Sequence, residues 1–125
     1  MIHLDTHVTL WLYLEQTNRI PRTVRDLIET DDVVASPMVQ LELGYLNEIN
    51  RLVRTPAEVI TSLAGGIGLT LSVAPFSAVV AQAMELTWTH DPFDRLIVAS
   101  ALADGAQLVT ADRLIRANCP QAVWD

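Results

Sequence analysis

Four acidic residues stand where solvation alone does not explain them: Asp5, Glu42, Asp94 and Asp112. Asp5 ends the apolar run Ile2–Leu4, and Asp112 follows the run Leu108-Val109-Thr110. Glu42 lies inside a helical stripe of Val39, Leu43 and Leu46. Asp94 precedes Ile97, Val98 and Ala101 at helical spacing and so shares their apolar face. Ionised carboxylates are rarely turned toward a core without a partner. Eight arginines and no lysine must serve 15 acids. One divalent cation is an economical partner for four inward acids, and an all-oxygen donor set suits Mg²⁺ or Mn²⁺. A cation held this way attracts phosphate and acidifies bound water. Apart from such a cation, close carboxylates repel, and one or more should hold a proton at a raised pKa.

Each acid taken singly has a simpler reading. Asp112 reads first as a helix N-cap, and Asp94 as a first-turn acid favoured by the helix dipole. Asp5 is explained as well by a strand-end turn as by ligation. Glu42 has no capping role to fall back on, because it is in mid-helix. The argument for a site is that all four meet at one place.

That meeting depends on the elements. Strands are predicted at Ile2–Leu4, Val33–Ala35, Leu69–Val73 and Gln107–Val109, with a last one at Ala122–Trp124. Helices are predicted at Thr6–Leu14, from Pro21 through Ile28, from Ser36-Pro37 to about Asn50, and from Pro56 to Gly65-Gly66. Further helices run from Ser77 to about Thr87, from Asp91-Pro92 to Asp104, and briefly after Asp112. Strands separated by helices imply crossover connections, hence a mostly parallel sheet covered on both faces, of class α/β. Ligands of such sheets bind beyond the C-terminal ends of the strands, where Asp5, Ser36 and Asp112 fall.

The bulk numbers fit one domain spanning residues 1–125. Half of the residues are hydrophobic, enough for a core without staples. The single cysteine, Cys119, suits a reducing, cytoplasmic setting. The N-terminus carries no signal-peptide pattern. The uncharged stretch Val59–Met84 is long enough to span a bilayer, but its glycines, Pro75 and changing period make it helix, loop, strand and helix, so no membrane association is expected. The net charge of −7 argues against an ordinary polyanion binder unless the acids are gathered at a cation. Arg19, Arg22 and Arg25, like Arg51 and Arg54, read as solvated clusters with a possible secondary use in holding an RNA backbone. His3 reads as a strand residue with a hydrogen-bonded ring, and His7 and His90 lack zinc-ligand spacing. Gly65-Gly66-Ile67-Gly68 lacks the lysine of a P-loop, and there is no serine nucleophile elbow.

Several segments together resemble the PIN-domain ribonucleases, in particular the VapC-type toxins of type II toxin–antitoxin systems. Ile2-His3-Leu4-Asp5-Thr6-His7 is similar to the opening strand and acid of that family, and Ser36–Leu43 to its acidic helix. His90-Asp91-Pro92-Phe93-Asp94-Arg95 resembles its most specific signature, and Leu108–Asp112 its last acidic motif. The resemblance runs in order from end to end. It implies a three-layer α/β/α fold with a five-stranded sheet. It implies Mg²⁺ (Mn²⁺ possible) held by Asp5 and Asp94, with Glu42 and Asp112 completing the pocket directly or through water. Thr110 and Thr6 would support the site, and Asp91 is better assigned to capping. RNA cleavage by metal-activated water, a cognate antitoxin and a homodimer are implied as well. Two other classes compete. An aspartyl-phosphate protein fits Asp5 after a first strand, but position 7 is His7 and the chain has no lysine to handle the phosphoryl group. A PIN-like binding or scaffold domain would use the same acids only as caps.

Overall fold

A computed structural model describes residues 1–125. Its strands are β1 (Ile2–Leu4), β2 (Val33–Ala35), β3 (Thr70–Leu71), β4 (Gln107–Val109) and β5 (Ala122–Val123). Its helices are α1 (Thr6–Tyr13), α2 (Arg22–Thr30), α3 (Pro37–Glu48), α4 (Pro56–Ile67), α5 (Phe76–Met84), α6 (Pro92–Ala103) and α7 (Arg113–Asn118). The five strands form one sheet in the order β3-β2-β1-β4-β5, and every pair is parallel. The expectation of a mostly parallel sheet is thus met without an antiparallel edge. Ile2 pairs with Val33 on one side and with Gln107 on the other.

β1 and β2 are buried along their whole length, as expected of strands covered on both faces. The core joins Ile2, Leu4, Leu43, Ile97, Leu108 and Ile115, all essentially solvent-free. Each such side chain contributes about 1.5–3 kcal/mol by leaving water. The arrangement is a three-layer α/β/α sandwich. No helix is long and apolar enough to cross a membrane. The uncharged stretch Val59–Met84 resolves into α4, β3 and α5.

The strand order reverses between β1 and β4. β1 connects through α1 and α2 to β2 on one flank, while β4 and β5 lie on the other. A crevice opens at such a switch point, outside the C-terminal ends of the two strands. Asp5 and Asp112 lie just past those two ends.

Several boundaries differ from the sequence expectation. α4 does not stop at Gly65-Gly66 but runs to Ile67 and ends on Gly68, whose φ of 72° is left-handed. Two helical glycines cost about 1 kcal/mol each. Burial of Val59 and Leu63 on the same helix outweighs that cost. β3 is shorter than predicted, because Val73 turns out to solvent and is 94% exposed. α5 opens one residue early, behind Pro75, and α3 ends at Glu48, before Asn50 adopts a left-handed φ of 61°. A short 3₁₀ turn at Thr17–Arg19 had no sequence signal.

His3 does have a hydrogen-bonded ring. It is fully buried in β1, and its Nε2 lies 2.7 Å from Asp104 Oδ2. Ser72 Oγ donates to the same oxygen at 2.7 Å. Burial lowers the imidazole pKa despite Asp104. Burial also works against the Asp104 carboxylate, but the Ser72 and His3 hydrogen bonds outweigh it and its pKa falls. One carboxylate therefore ties β1, the end of β3 and the end of α6.

Candidate functional site

Asp5 is placed by the turn from β1 into α1. Its backbone N–H donates to Val109 O at 3.0 Å, which extends the β1–β4 ladder. Its side chain then caps α1, with Oδ1 accepting from Thr6 N at 2.8 Å. Oδ2 accepts from Thr110 Oγ1 at 2.6 Å. The carboxyl is almost wholly buried, and burial raises its pKa. The bonds from Thr110 and Thr6 pull the other way, and the charge of Asp112 adds to the rise.

Thr110 joins two of the acids. It is fully buried past the end of β4, and while it donates to Asp5 its Oγ1 also accepts from Asp112 N at 3.1 Å. Asp112 then caps α7, with Oδ1 accepting from Ile115 N at 2.9 Å. The N-cap reading of Asp112 is therefore correct as far as it goes, and one carboxylate oxygen is left over.

Glu42 comes from the middle of α3, whose Ser36 N-cap and Pro37 start its first turn. Val39 and Leu43 are solvent-free on the core side of that helix, so Glu42 between them is half-buried. Its Oε1 accepts a hydrogen bond from Thr6 Oγ1. Burial raises its pKa, Thr6 opposes the rise, and Asp5 adds to it.

Asp94 sits in the first turn of α6, whose N-cap is Asp91. Asp91 Oδ1 accepts from Phe93 N at 2.9 Å and from Asp94 N at 3.3 Å, which is the capping role assigned to Asp91. Ile97, Val98 and Ala101 are buried, and Asp94 is half-buried on the same helix. Its carboxyl is pushed up to about 7, first by burial and then by the charges of Asp5, Asp91, Asp112 and Glu42. The other three candidate acids therefore surround it closely enough to be felt. The Asp94 side chain accepts no hydrogen bond, and none of the four acids forms an ion pair.

No three of these side chains stand close enough to make a finished coordination shell. The residues nevertheless fit a divalent cation. Their donors are all carboxylate oxygens, the set that Mg²⁺ and Mn²⁺ prefer. Asp94 has only like charges around it, which a cation would offset. The two threonines already orient Asp5 and Glu42 in the manner of supporting groups behind metal ligands. The most apolar cavity, about 510 Å³ between Ser36, Met38, Leu41, Ser72, Phe76 and Leu96, is lined by no carboxylate and is not this site.

Sequence reasoning named Thr6 as a supporting residue but not its link to Glu42; adjacency to Asp5 at the start of a helix was the only signal. It missed the rings next to the acids. Trp11 lies 6.3 Å from His7 and 5.9 Å from Trp124, and Arg19 stacks over Trp11 at 5.6 Å. A chain with three tryptophans, one of them two turns along the helix that Asp5 caps, held that clue.

Replacing Thr110 by valine keeps its shape and removes a donor to Asp5 and an acceptor for Asp112. Loss of such a supporting group typically costs about 10–100-fold in metal affinity or activity. Titration calorimetry of Thr110→Val with Mn²⁺ should show that weakening, and unchanged binding would remove Thr110 from the site.

Fold and site together define an all-parallel α/β domain with an acidic rim at its switch point. A family model for the PIN domain matches residues 2–119. The chain is 32% identical over 127 aligned positions to Ribonuclease VapC22 of Mycobacterium tuberculosis, covering 97% of this chain and 96% of that protein. The chain belongs to the PIN domain family. A solved structure, that of VapBC2 from Rickettsia felis bound to a DNA fragment from its promoter, superposes with a TM-score of 0.65. It covers 100% of both chains at 20% identity, so it shows a shared fold.

Proposed function

We propose that this chain, read as one PIN-like domain over residues 1–125, is a metal-dependent endoribonuclease toxin neutralised by a cognate antitoxin. The observation that carries the reading is Asp94, half-buried, its carboxylate without a hydrogen bond or an ion pair, under the charges of Asp5, Asp91, Asp112 and Glu42. The name of the ribonuclease relative supports the choice of RNA as substrate. Asp5 and Asp94 would hold Mg²⁺ or Mn²⁺, and Glu42 and Asp112 would complete the pocket. Such a cation, when bound, supplies phosphate neutralisation and a water acidic enough to attack at neutral pH. Thr110 fixes the Asp5 carboxylate and Thr6 fixes Glu42, so the acids need little reordering. Glu42 would orient the attacking water. In-line attack of water on phosphorus, its proton passing to a carboxylate of the site, would break the bond to the 3′ oxygen, which takes a proton from solvent, leaving 5′-phosphate and 3′-hydroxyl ends.

The antitoxin and the homodimer rest on the family resemblance. Tyr45 of α3 and Ile49, its C-cap, are 47% and 42% exposed, so packing within the domain does not use them up. An aspartyl-phosphate mechanism is less well supported, because the chain has no lysine to handle the phosphoryl group and position 7 is His7. The deciding experiment is incubation with total bacterial RNA and Mn²⁺, with a chelator control, followed by end mapping. Chelator-sensitive cuts with 5′-phosphate ends are expected. Intact RNA at every metal concentration would end the reading.

A further inference from the structure

The rings beside the acids lead away from them in a row. His7 is near enough to influence the carboxyls of both Asp5 and Glu42. Trp11 follows it on α1, and Trp124 follows Trp11, the two indoles tilted at 50°. Trp124 comes directly after β5, at the same end of the sheet as Asp5 and Asp112. Thr110 N donates to Val123 O at 3.2 Å, so the threonine that holds Asp5 is tied to the residue before Trp124. Beside Trp124 lies an open cleft of about 460 Å³, lined also by Arg113, Arg116, Ala117, Ala122 and Asp125. Arg113 adjoins Asp112 in sequence and forms no ion pair, whereas Arg116 is bound to Asp125 at 2.6 Å.

We infer that this cleft is a subsite for an unpaired RNA base, stacked on Trp124, with Arg113 on an adjoining phosphate. The inference rests on the ribonuclease reading for its choice of ligand. Single-stranded RNA is held by aromatic stacking, which tolerates any base, together with arginine contacts to the backbone. A chain of net charge −7 needs such local attraction if it is to hold a polyanion. Two other features of the surface fit less well. Tyr45 and Phe93, 5.7 Å apart, flank Glu42 and Asp94, but the arginine beside them, Arg95, donates to Ala83 O at 2.8 Å. The apolar cavity by Leu41 and Phe76 is lined by neither an arginine nor an acid. The β5 side offers a ring, an open cleft and, in Arg113, a guanidinium that no hydrogen bond or ion pair engages, next to the acidic site.

The test is fluorescence anisotropy of a labelled single-stranded RNA with the full chain carrying Asp94→Asn, so that binding is read apart from cleavage. Trp124→Ala should raise the Kd by about 10-fold or more, as loss of one stacked base does. Trp124→Phe should recover most of it. An oligonucleotide lacking bases should bind equally with and without Trp124→Ala. Arg113→Gln, on an exposed helix, should reduce the salt slope by about 0.7, the share of one phosphate on a single strand. It serves if Trp124→Ala does not fold. An unchanged Kd in folded Trp124→Ala, or an unchanged slope in Arg113→Gln, overturns the subsite. So does unchanged RNA affinity with loss of a dimer in light scattering, which would assign the patch to a protein contact. Cleavage of RNA by an otherwise parental Trp124→Ala chain with parental KM would sink the subsite and leave the nuclease standing. RNA bound through Trp124 but never cut by the parent would do the reverse.

Discussion

Asp94→Asn is expected to keep its fold and to cleave RNA about 10²–10³-fold more slowly than the parent, the equivalent of roughly 3–4 kcal/mol of transition-state stabilisation. Asparagine has the shape of aspartate without the charge. The helix start is unaffected, because Asp91 and not Asp94 caps α6. Ile97, Val98 and Ala101 keep their burial on the same helix. What is lost is the one carboxylate of the four that no hydrogen bond or ion pair engages. Asp5 spends both oxygens on Thr6 and Thr110, and Asp112 spends one on its helix. Asp94 is therefore the ligand with the least structural and the most electrostatic work. Single-turnover cleavage in Mn²⁺, with circular dichroism as a control on folding, measures the effect. A folded Asp94→Asn protein that cuts RNA at the parental rate would show that the site assignment is wrong.

The second large effect is on stability. With metal chelated, the protein should become less stable as pH rises from about 4 toward 7, the reverse of an ordinary acidic protein. The sign follows from proton counting. Asp94 titrates at about 7 in the folded chain, against a reference of 3.8. Between those values the native state binds the proton that the unfolded chain has already released, so stability falls with pH and levels off above the folded pKa. Asp5 and Glu42 are raised as well and act in the same direction, while the lowered pKa of buried His3 acts against them. Asp94 is half exposed, so solvent screening reduces its penalty, to about 2 kcal/mol. Urea denaturation at about pH 5, where most of the penalty is absent, and about pH 8, where it is complete, reads the difference. Asp94→Asn should flatten most of the profile. Mn²⁺ at about 100 times its Kd should add about 2.7 kcal/mol to the parent at the higher pH. A flat profile in the chelated parent, or no response to Mn²⁺, would contradict the clustering of these acids around a cation site.

Local signals were enough for most of the elements. Ser36-Pro37 and Asp91-Pro92 carry the geometry of a helix start within two residues, and both helices begin there. The strands Ile2–Leu4, Val33–Ala35 and Gln107–Val109 have the predicted bounds. Boundaries failed where distant packing outweighed a local preference, as when α4 ran through Gly65 and Gly66. The elongated β3 of the sequence reading failed for a related reason: nothing local says that Val73 has no neighbour to cover it.

The amino-acid order alone determined that Asp5 and Asp112 follow strands and that Glu42 and Asp94 ride on apolar helix faces. It did so because helical and strand periods are local properties of the backbone. Only the tertiary structure decided that β1 and β4 are neighbours, that Thr110 bridges Asp5 and Asp112, that Thr6 reaches Glu42, and that Trp11 meets Trp124. Those contacts join residues as far apart as 5 and 110, and no local rule fixes which strands pair. The choice belongs to the packing of the whole sheet, and so does the electrostatic field that raises the pKa of Asp94.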